Sequence, residues 1–325
     1  MKASMSVRRI LREIARRCAL ASLSLTCLTS CATVSDNAAA SSTTIDATSD
    51  VLVPVEIRGQ QLKLRVDPRT PGYVLLNGSA AQRLGLTRSA MTTFVVGPIA
   101  YQGDTSFEDL TIGGIRVNRP VMWFRHEMVE GADGAINPAH LPWDSVTLRL
   151  GARRPDERTI SLPMQFDSER GLFYSFEFSG ETILTRFTLA DRPTTATGAT
   201  AALLAERKGG QWAGDTFMQP VRYDIVRPVR EMAFRQPVSV GGFALMHLMV
   251  RVSDDLGSYR LPAGVASASM PMENSIVITG RKRRSPVGTA NFWLMIGRDD
   301  LSRCSEMTYY KRAEKLLLRC SSAGS

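Results

Sequence analysis

Apolar residues in this chain come in short runs and in strict alternation, and seldom at the three- and four-residue spacing of helices. Val51-Leu-Val-Pro-Val-Glu-Ile57 and Gln60-Gln-Leu-Lys-Leu-Arg-Val66, with Arg58-Gly59 between them, predict a β-hairpin. Val74-Leu-Leu76 predicts a short strand, and Gly78-Ser-Ala-Ala-Gln-Arg-Leu-Gly85 a short helix closed by glycine. Thr92 to Thr105 predicts a hairpin turning at Gly97-Pro98, and a further hairpin turns at Gly113-Gly114. Gly131 to Ile136 then leads into a strand over Asp144 to Leu150. The pattern is that of an all-β protein with a few short helices.

The same order is then written a second time. Phe173 to Phe178 and Thr182 to Leu189 predict a hairpin about Ser179-Gly180, and Ala199 to Glu206 a short helix. Val221 to Val226 with Arg230 to Phe234 predicts the counterpart of the Thr92–Thr105 hairpin. Gly241-Gly242 matches Gly113-Gly114, and Phe292 to Leu301 matches the Gly131 segment. Glu306 to Tyr310 and Lys315 to Arg319 predict a closing pair of strands. The glycine pairs lie 128 positions apart, and two strand-ending aspartates, Asp67 and Asp191, lie 124 apart. The offset grows to 163 between Gly134 and Gly297, which predicts an insertion in the second copy at about residues 253–287. The expected organisation is two duplicated lobes, 51–165 and 166–325, with a site at the seam and the aspartates in register across it.

Ahead of the lobes the chain has a different character. Arg8, Arg9, Arg12, Arg16 and Arg17 form a basic stretch, followed by an apolar one from Cys18 to Thr29 that is short for a membrane span. It ends at Leu28-Thr29-Ser30-Cys31, which resembles a bacterial lipobox. That resemblance implies that residues 1–31 are a lipoprotein signal peptide and that Cys31 is acylated. With Ala32 after it, sorting to the outer membrane is expected, on the periplasmic side. An ordinary signal peptide cut nearby is the alternative, and Arg8-Arg9 fits twin-arginine export poorly. Residues 32–50 are Ala, Ser, Thr, Asn and Asp with scattered Val and Ile, and are expected to be a flexible tether.

Composition narrows the possibilities further. Five of the nine net positive charges belong to residues 1–31 (Lys2 and five arginines against Glu13), leaving +4 for the rest. That suits an envelope protein near an anionic membrane and gives no argument for nucleic acid. The run Arg281-Lys-Arg-Arg284 reads as a solvated loop, with contact to anionic lipid or polysaccharide as the sharper alternative. Cys304 and Cys320 remain once the leader cysteines are set aside. In an oxidising compartment a disulfide is expected of them, since two thiols with no histidine nearby make a poor zinc site.

Val53-Pro-Val-Glu-Ile-Arg-Gly-Gln-Gln-Leu-Lys-Leu-Arg-Val-Asp67, Gly72-Tyr-Val-Leu-Leu76 and Ala80-Ala-Gln-Arg-Leu-Gly85 together resemble the opening of bacterial retropepsin-like aspartyl proteases. Asp133-Gly-Ala-Ile136 with Asp144-Ser-Val-Thr-Leu148 resembles that family's closing segment, as does Ile296-Gly-Arg-Asp-Asp-Leu301 in the second copy. The likeness spans residues 51 to 320. In two copies it implies a bilobal, pepsin-like fold of two duplicated β-barrels, with Asp67 and Asp191 as a candidate catalytic dyad. Such a dyad shares one proton, because two close carboxylates do not both ionise cheaply. One activates a water while the other polarises the scissile carbonyl. The resemblance also implies that Tyr101 and Tyr223, in the hairpins over the cleft, act as flap residues; a tyrosine in a strand is otherwise a packing residue.

The loops after the aspartates depart from the family. It writes Asp, then Thr or Ser, then Gly; this chain has Asp67-Pro68-Arg69-Thr70 and Asp191-Arg192-Pro193-Thr194. Proline removes a backbone donor, and an arginine beside a dyad favours two ionised carboxylates. Asp67 before Pro68 also suits a plain turn, and Arg69 and Arg192 could pair with Asp191 and Asp67 across the seam. Two functions follow. One is a degenerate, protease-like lipoprotein that binds an extended peptide or envelope partner in the interlobe cleft by strand addition. The other is a working periplasmic aspartic endopeptidase. An arginine wedged between the aspartates favours the first.

Other chemistry is sparse. His126, His140 and His247 share no metal-ligand spacing, and His126-Glu127 lacks the second histidine of a metalloprotease helix. Ser79 and Ser302 have no paired His and Asp. Gly113-Gly114 opens no helix with a phosphate-binding lysine. No cofactor and no metal are expected.

Overall fold

The computed structural model describes residues 41–96, 99–168, 170–222, 225–254, 256–263 and 290–321, with backbone alone at 94–96, 99–101 and 222. The export segment with Cys31, the Arg281–Arg284 run and Tyr223 lie outside the described residues, and so does the side chain of Tyr101. The chain begins with β1 (Ser42–Asp46), β2 (Leu52–Ile57), β3 (Gln60–Val66), β4 (Val74–Leu76) and α1 (Gly78–Arg83). Next come β5 (Ala90–Val96), β6 (Ile99–Ile112), β7 (Ile115–Trp123), β8 (Gly134–Ile136), a 3-10 turn (Pro138–His140) and β9 (Ser145–Arg149). After β10 (Glu157–Pro163) and β11 (Gln165–Asp167), the order repeats. It gives β12 (Gly171–Phe178), β13 (Glu181–Phe187), β14 (Thr195–Thr197), α2 (Gly198–Lys208), β15 (Gly210–Arg222) and β16 (Ile225–Val240). It closes with β17 (Phe243–Arg251), β18 (Trp293–Ile296), α3 (Arg298–Leu301), β19 (Cys304–Tyr310) and β20 (Lys315–Ser321).

The duplication is plain in the strand order. Lobe 1 is β2-β3-β8-β4-β7-β6-β5, and lobe 2 contains β12-β13-β18-β14-β17-β16-β15, the same path with β11 added at one edge. In each, the late strand (β8 or β18) slips between two early ones, parallel to one and antiparallel to the other. This insertion is tight. A Cβ on Gly134 would sit 2.1 Å from the Leu75 carbonyl oxygen, so glycine is required there. In lobe 1 a β2–β6 pairing closes a six-stranded barrel. In lobe 2 the Gly241 turn lies against Tyr174 of β12 instead.

The alternation read from the sequence explains the packing. In β3, Leu62, Leu64 and Val66 are buried while Gln61 and Lys63 face water. The helix α2 is Ala-rich and buried from Gly198 to Ala205, capped by Thr197 and ended by Gly209 in the left-handed region at φ 68°. The result is an all-β, bilobal, aspartic-protease-like architecture with few short helices. Among the described residues no helix is long and apolar enough to cross a membrane.

A third sheet joins the lobes in the order β1-β9-β19-β20-β10. It unites the first described strand, the end of each copy and the connection between the copies. Cys304 and Cys320 face each other across β19 and β20 and form a disulfide. This sheet corrects the second half of the tether expected at 32–50, residues 32–40 lying outside the described residues. Ser42-Thr-Thr-Ile-Asp46 pairs in parallel with β9, from Ser42 opposite Ser145 to Asp46 opposite Arg149. The guanidinium of Arg298 then clamps the chain beyond it, donating to the carbonyls of Ala47 (2.9 Å), Thr48 (2.7 Å) and Ser49 (3.1 Å). Polar residues form an ordered strand here because their backbone groups find partners 103 positions along the chain.

The second-copy hairpin also differs from expectation. Instead of turning near residues 227–229, it is two long strands, β15 and β16, that turn after Arg222. Pro220 and Pro228 read as breakers in the sequence. Pro220 lies on the edge strand beside a register shift, where a missing donor costs little.

Candidate functional site

The register of β3 and β13 fixes which residues meet at the seam. Val66 ends β3 opposite Ile136, and Phe187 ends β13 opposite Ile296. The next backbone N–H in each lobe donates to the same carbonyls: Asp67 to Ile136 at 3.1 Å and Thr188 to Ile296 at 3.0 Å. The counterpart of Asp67 is therefore Thr188. Asp191, expected in register with Asp67, lies three residues further along. The side chains make matching turns. Asp67 Oδ1 accepts from the Arg69 N–H (3.0 Å), and Thr188 Oγ1 accepts from the Ala190 N–H (3.2 Å). The two residues meet directly, Thr188 Oγ1 donating to Asp67 Oδ2 at 3.1 Å.

Asp191 enters the site through Arg69. The Arg69 guanidinium bonds Asp191 Oδ2 with Nη1 and lies 3.3 Å from Asp67 Oδ2 with Nε. The arginine is thus wedged between the two carboxylates. Asp67 is 3% exposed, whereas the Asp191 side chain keeps 22% of its surface. Burial raises the Asp191 carboxyl above its ordinary value, against the opposing pull of Arg69, with Asp67 adding to the rise. Arg192 does not cross the seam to Asp67; it pairs with Asp299 at 3.1 Å on the surface.

Both loops are braced from behind. Asn137 Nδ2 donates to the carbonyls of Pro68 (2.8 Å) and Thr70 (2.6 Å), and its Oδ1 accepts from Ala139. In lobe 2 the Thr194 hydroxyl accepts from the Gly297 N–H at 3.0 Å and donates to Asp300. A Cβ on Gly297 would meet the Arg192 carbonyl oxygen at 2.3 Å, so glycine lets this loop close down. Asn137, Thr194 and Thr188 carry structural duties that residue type alone did not suggest. The glycines that open α1 and α2, Gly78 and Gly198, lie 120 positions apart. That offset points to 187, one position from Thr188 and four from Asp191, and was the available signal.

The site faces a cleft of about 240 Å³ lined by Arg65, Asp67, Arg69, Leu75, Ala190 and Asp191, with Pro220 and Val221 of β15. Among the described residues no group of three or more His, Cys, Asp or Glu side chains is placed to hold a metal ion. His126, His140 and His247 lie apart from the cleft lining.

Thr188→Val tests the seam bond. It removes a buried hydroxyl that donates to Asp67 and accepts from Ala190 and Asp191. A loss of about 1–2 kcal/mol in denaturant unfolding is expected; unchanged stability would show that this hydroxyl does not hold the two loops together.

No protein-family model matches the sequence, and no curated protein matches it. Among solved structures, the chain is similar to the solution structure of simian foamy virus (mac) protease. The likeness has a TM-score of 0.23 and 17% identity, covering 28% of this chain and 92% of that one. It is too slight to bear on activity.

Proposed function

We propose that this chain is an exported, lipid-anchored protein that holds an extended peptide segment in its interlobe cleft without cutting it. One observation carries the reading: Thr188 stands where symmetry would put the second catalytic aspartate, and Arg69 bridges the two aspartates that remain nearby. A shared-proton dyad needs two carboxylates in direct contact, one protonated and one not. A threonine hydroxyl does not act as the second acid near neutral pH, and a permanent cation between Asp67 and Asp191 takes the place of the shared proton. What is left of the protease plan is a cleft between two lobes with the β15–β16 hairpin at its edge, which suits strand addition of a peptide. The basic and apolar leader ending at Cys31 supports export and anchoring, and Ala32 supports the outer membrane.

The test has two arms. A dye-quenched, unfolded protein substrate should remain intact with the purified chain between pH 3 and 7. Cleavage that disappears in Asp67→Asn would establish an endopeptidase and overturn the reading. An array of random tetradecapeptides should contain binders whose affinity falls at least tenfold in Ala190→Trp, which fills the cleft from its exposed rim. An array without binders would count equally against it.

A further inference from the structure

A second cavity, of about 380 Å³, shares no lining residue with the interlobe cleft. It is lined by Arg153, Arg154, Pro155, Glu157, Thr159 and Arg319. Thr159 and Arg319 pair across β10 and β20, and their row runs on through Glu306 of β19 and Arg149 of β9 to Asp46 of β1. Strand alternation turns this row of the joining sheet outward: Leu148, Met307 and Leu318 beside it are buried, whereas Asp46, Arg149 and Thr159 are exposed.

The cavity holds a surplus of cations. Three guanidiniums line it against one carboxylate, and that carboxylate is turned into the sheet. Glu157 Oε2 accepts from the buried Ser305 hydroxyl at 2.7 Å, and Oε1 is buried with no hydrogen-bond partner among the described residues. Nearby, Asp156 accepts from the Ser321 hydroxyl at 3.1 Å, and Glu306 holds Arg319 at 3.2 Å. Among the described residues the exposed Arg154 donates only to the carbonyls of Ser302 (3.3 Å) and Arg303 (3.4 Å), and the exposed Arg153 makes no hydrogen bond or ion pair. With Glu306 counted beside the lining, the three arginines still exceed the two carboxylates.

We propose that this cavity is a phosphate site that takes the headgroup of an anionic membrane phospholipid. The inference rests on the anchoring part of the proposed function and adds a second, charge-dependent attachment. Guanidinium groups offer paired N–H donors that match phosphate oxygens, and a phosphodiester brings the negative charge that balances the surplus. The entry point of the chain favours a lipid over free phosphate. β1, the first described strand, lies at one edge of the sheet and β10 at the other. Five strands span about 20 Å, and Ser42 starts about 13 Å along β1 from the row that ends at the cavity. The cavity is therefore about 25 Å from Ser42, within the roughly 33–36 Å that residues 32–41 reach when extended. Acyl chains on Cys31 and a headgroup at Arg153 and Arg154 then belong to one bilayer.

The full chain carrying Cys31→Ser, which accepts no acyl group, isolates this contact. It should float with vesicles of phosphatidylcholine and phosphatidylglycerol, and not with phosphatidylcholine alone. Adding Arg153→Gln and Arg154→Gln should weaken the binding at least tenfold, since each basic residue at an anionic surface is worth about fivefold. Adding Arg88→Gln and Arg207→Gln instead removes the same charge from exposed positions on the two lobes and should change it less than twofold. Equal losses in the two pairs, or no flotation of the Cys31→Ser chain, would overturn the site. Calorimetric binding of inorganic phosphate that needs Arg153 and Arg154, without vesicle binding, would assign the cavity to free phosphate and overturn the lipid source. The mass of the native chain reads the anchor separately. An unacylated Cys31 would overturn the anchoring reading whatever the vesicles show; an acylated chain whose Cys31→Ser form ignores them would overturn the headgroup site alone.

Discussion

Arg69→Ala should destabilise the protein by about 2–4 kcal/mol at pH 7, lowering Tm by about 5–10 °C. The substitution strips the shared counter-ion from a nearly buried Asp67 and a largely buried Asp191. Two nearby carboxylates then lose the cation between them, while Asp67 keeps the Thr188 hydroxyl and the residue-69 N–H, which costs more than the surface pairs elsewhere in the described residues. The Asp191 carboxyl is already raised by burial and by Asp67, and Arg69 is the group that restrains it. Without the arginine its folded-state value rises further above the unfolded one. The folded variant then binds more protons than the unfolded chain, so its stability falls as pH rises. The gap between native and variant should therefore narrow from pH 7 towards pH 4.5. Chemical denaturation at several pH values measures it. A loss below about 1 kcal/mol, or a gap independent of pH, would mean that Arg69 is not the keystone of the pair.

Acid should loosen the native protein through His140, on the 3-10 turn behind the Asp67 loop. This histidine is 7% exposed on the 3-10 turn and has its ring edge against Phe166. Its Nε2 has no hydrogen-bond partner among the described residues. Burial lowers its pKa to about 4; a hydrogen bond with the Gly72 backbone opposes the shift, and the positive charges of Arg119 and Lys311 add to it. The unfolded histidine titrates near its ordinary 6.5. Between those values the unfolded chain holds the extra proton. Stability is therefore complete above about pH 6.5 and is lost as pH falls to about 4, by about 3 kcal/mol. His140→Gln should flatten that part of the pH–stability curve, as followed by thermal melts from pH 4 to 7. A native curve that is already flat there would refute the assignment. The direction also bears on function, since an acid-working peptidase would be weakened in its own working range.

The fold was largely legible because alternation and turn residues repeat in order. Leu62, Leu64 and Val66 alternate with polar neighbours, the Gly-Gly turns recur, and each copy ends on a strand. What escaped the sequence depends on partners far along the chain. Nothing within Ser42–Asp46 marks a strand, because its stability comes from β9 and Arg298. The seam was misread by three positions because Phe187-Thr-Leu-Ala-Asp191 looks like a continuing strand that ends in aspartate. The strand stops at Phe187 because Ile296, its partner in β18, ends there. The pairing of Arg69 with Asp191 was foreseeable from charge, whereas Arg192 found Asp299 closer at hand.

The pairing of Ser42–Asp46 with β9 would set the length of the leash if the proposed anchor at Cys31 holds. With Cys31 as the proposed lipid site, ten residues, 32–41, separate the acyl chains from the first strand, where nineteen were expected. Even fully extended, they reach about 33–36 Å. On the proposed anchor, a body of this size would not roam the compartment, and its cleft would work in the shallow layer beside the bilayer. The segments it meets would be those that surface there, such as the ends and loops of proteins crossing or emerging from the same membrane.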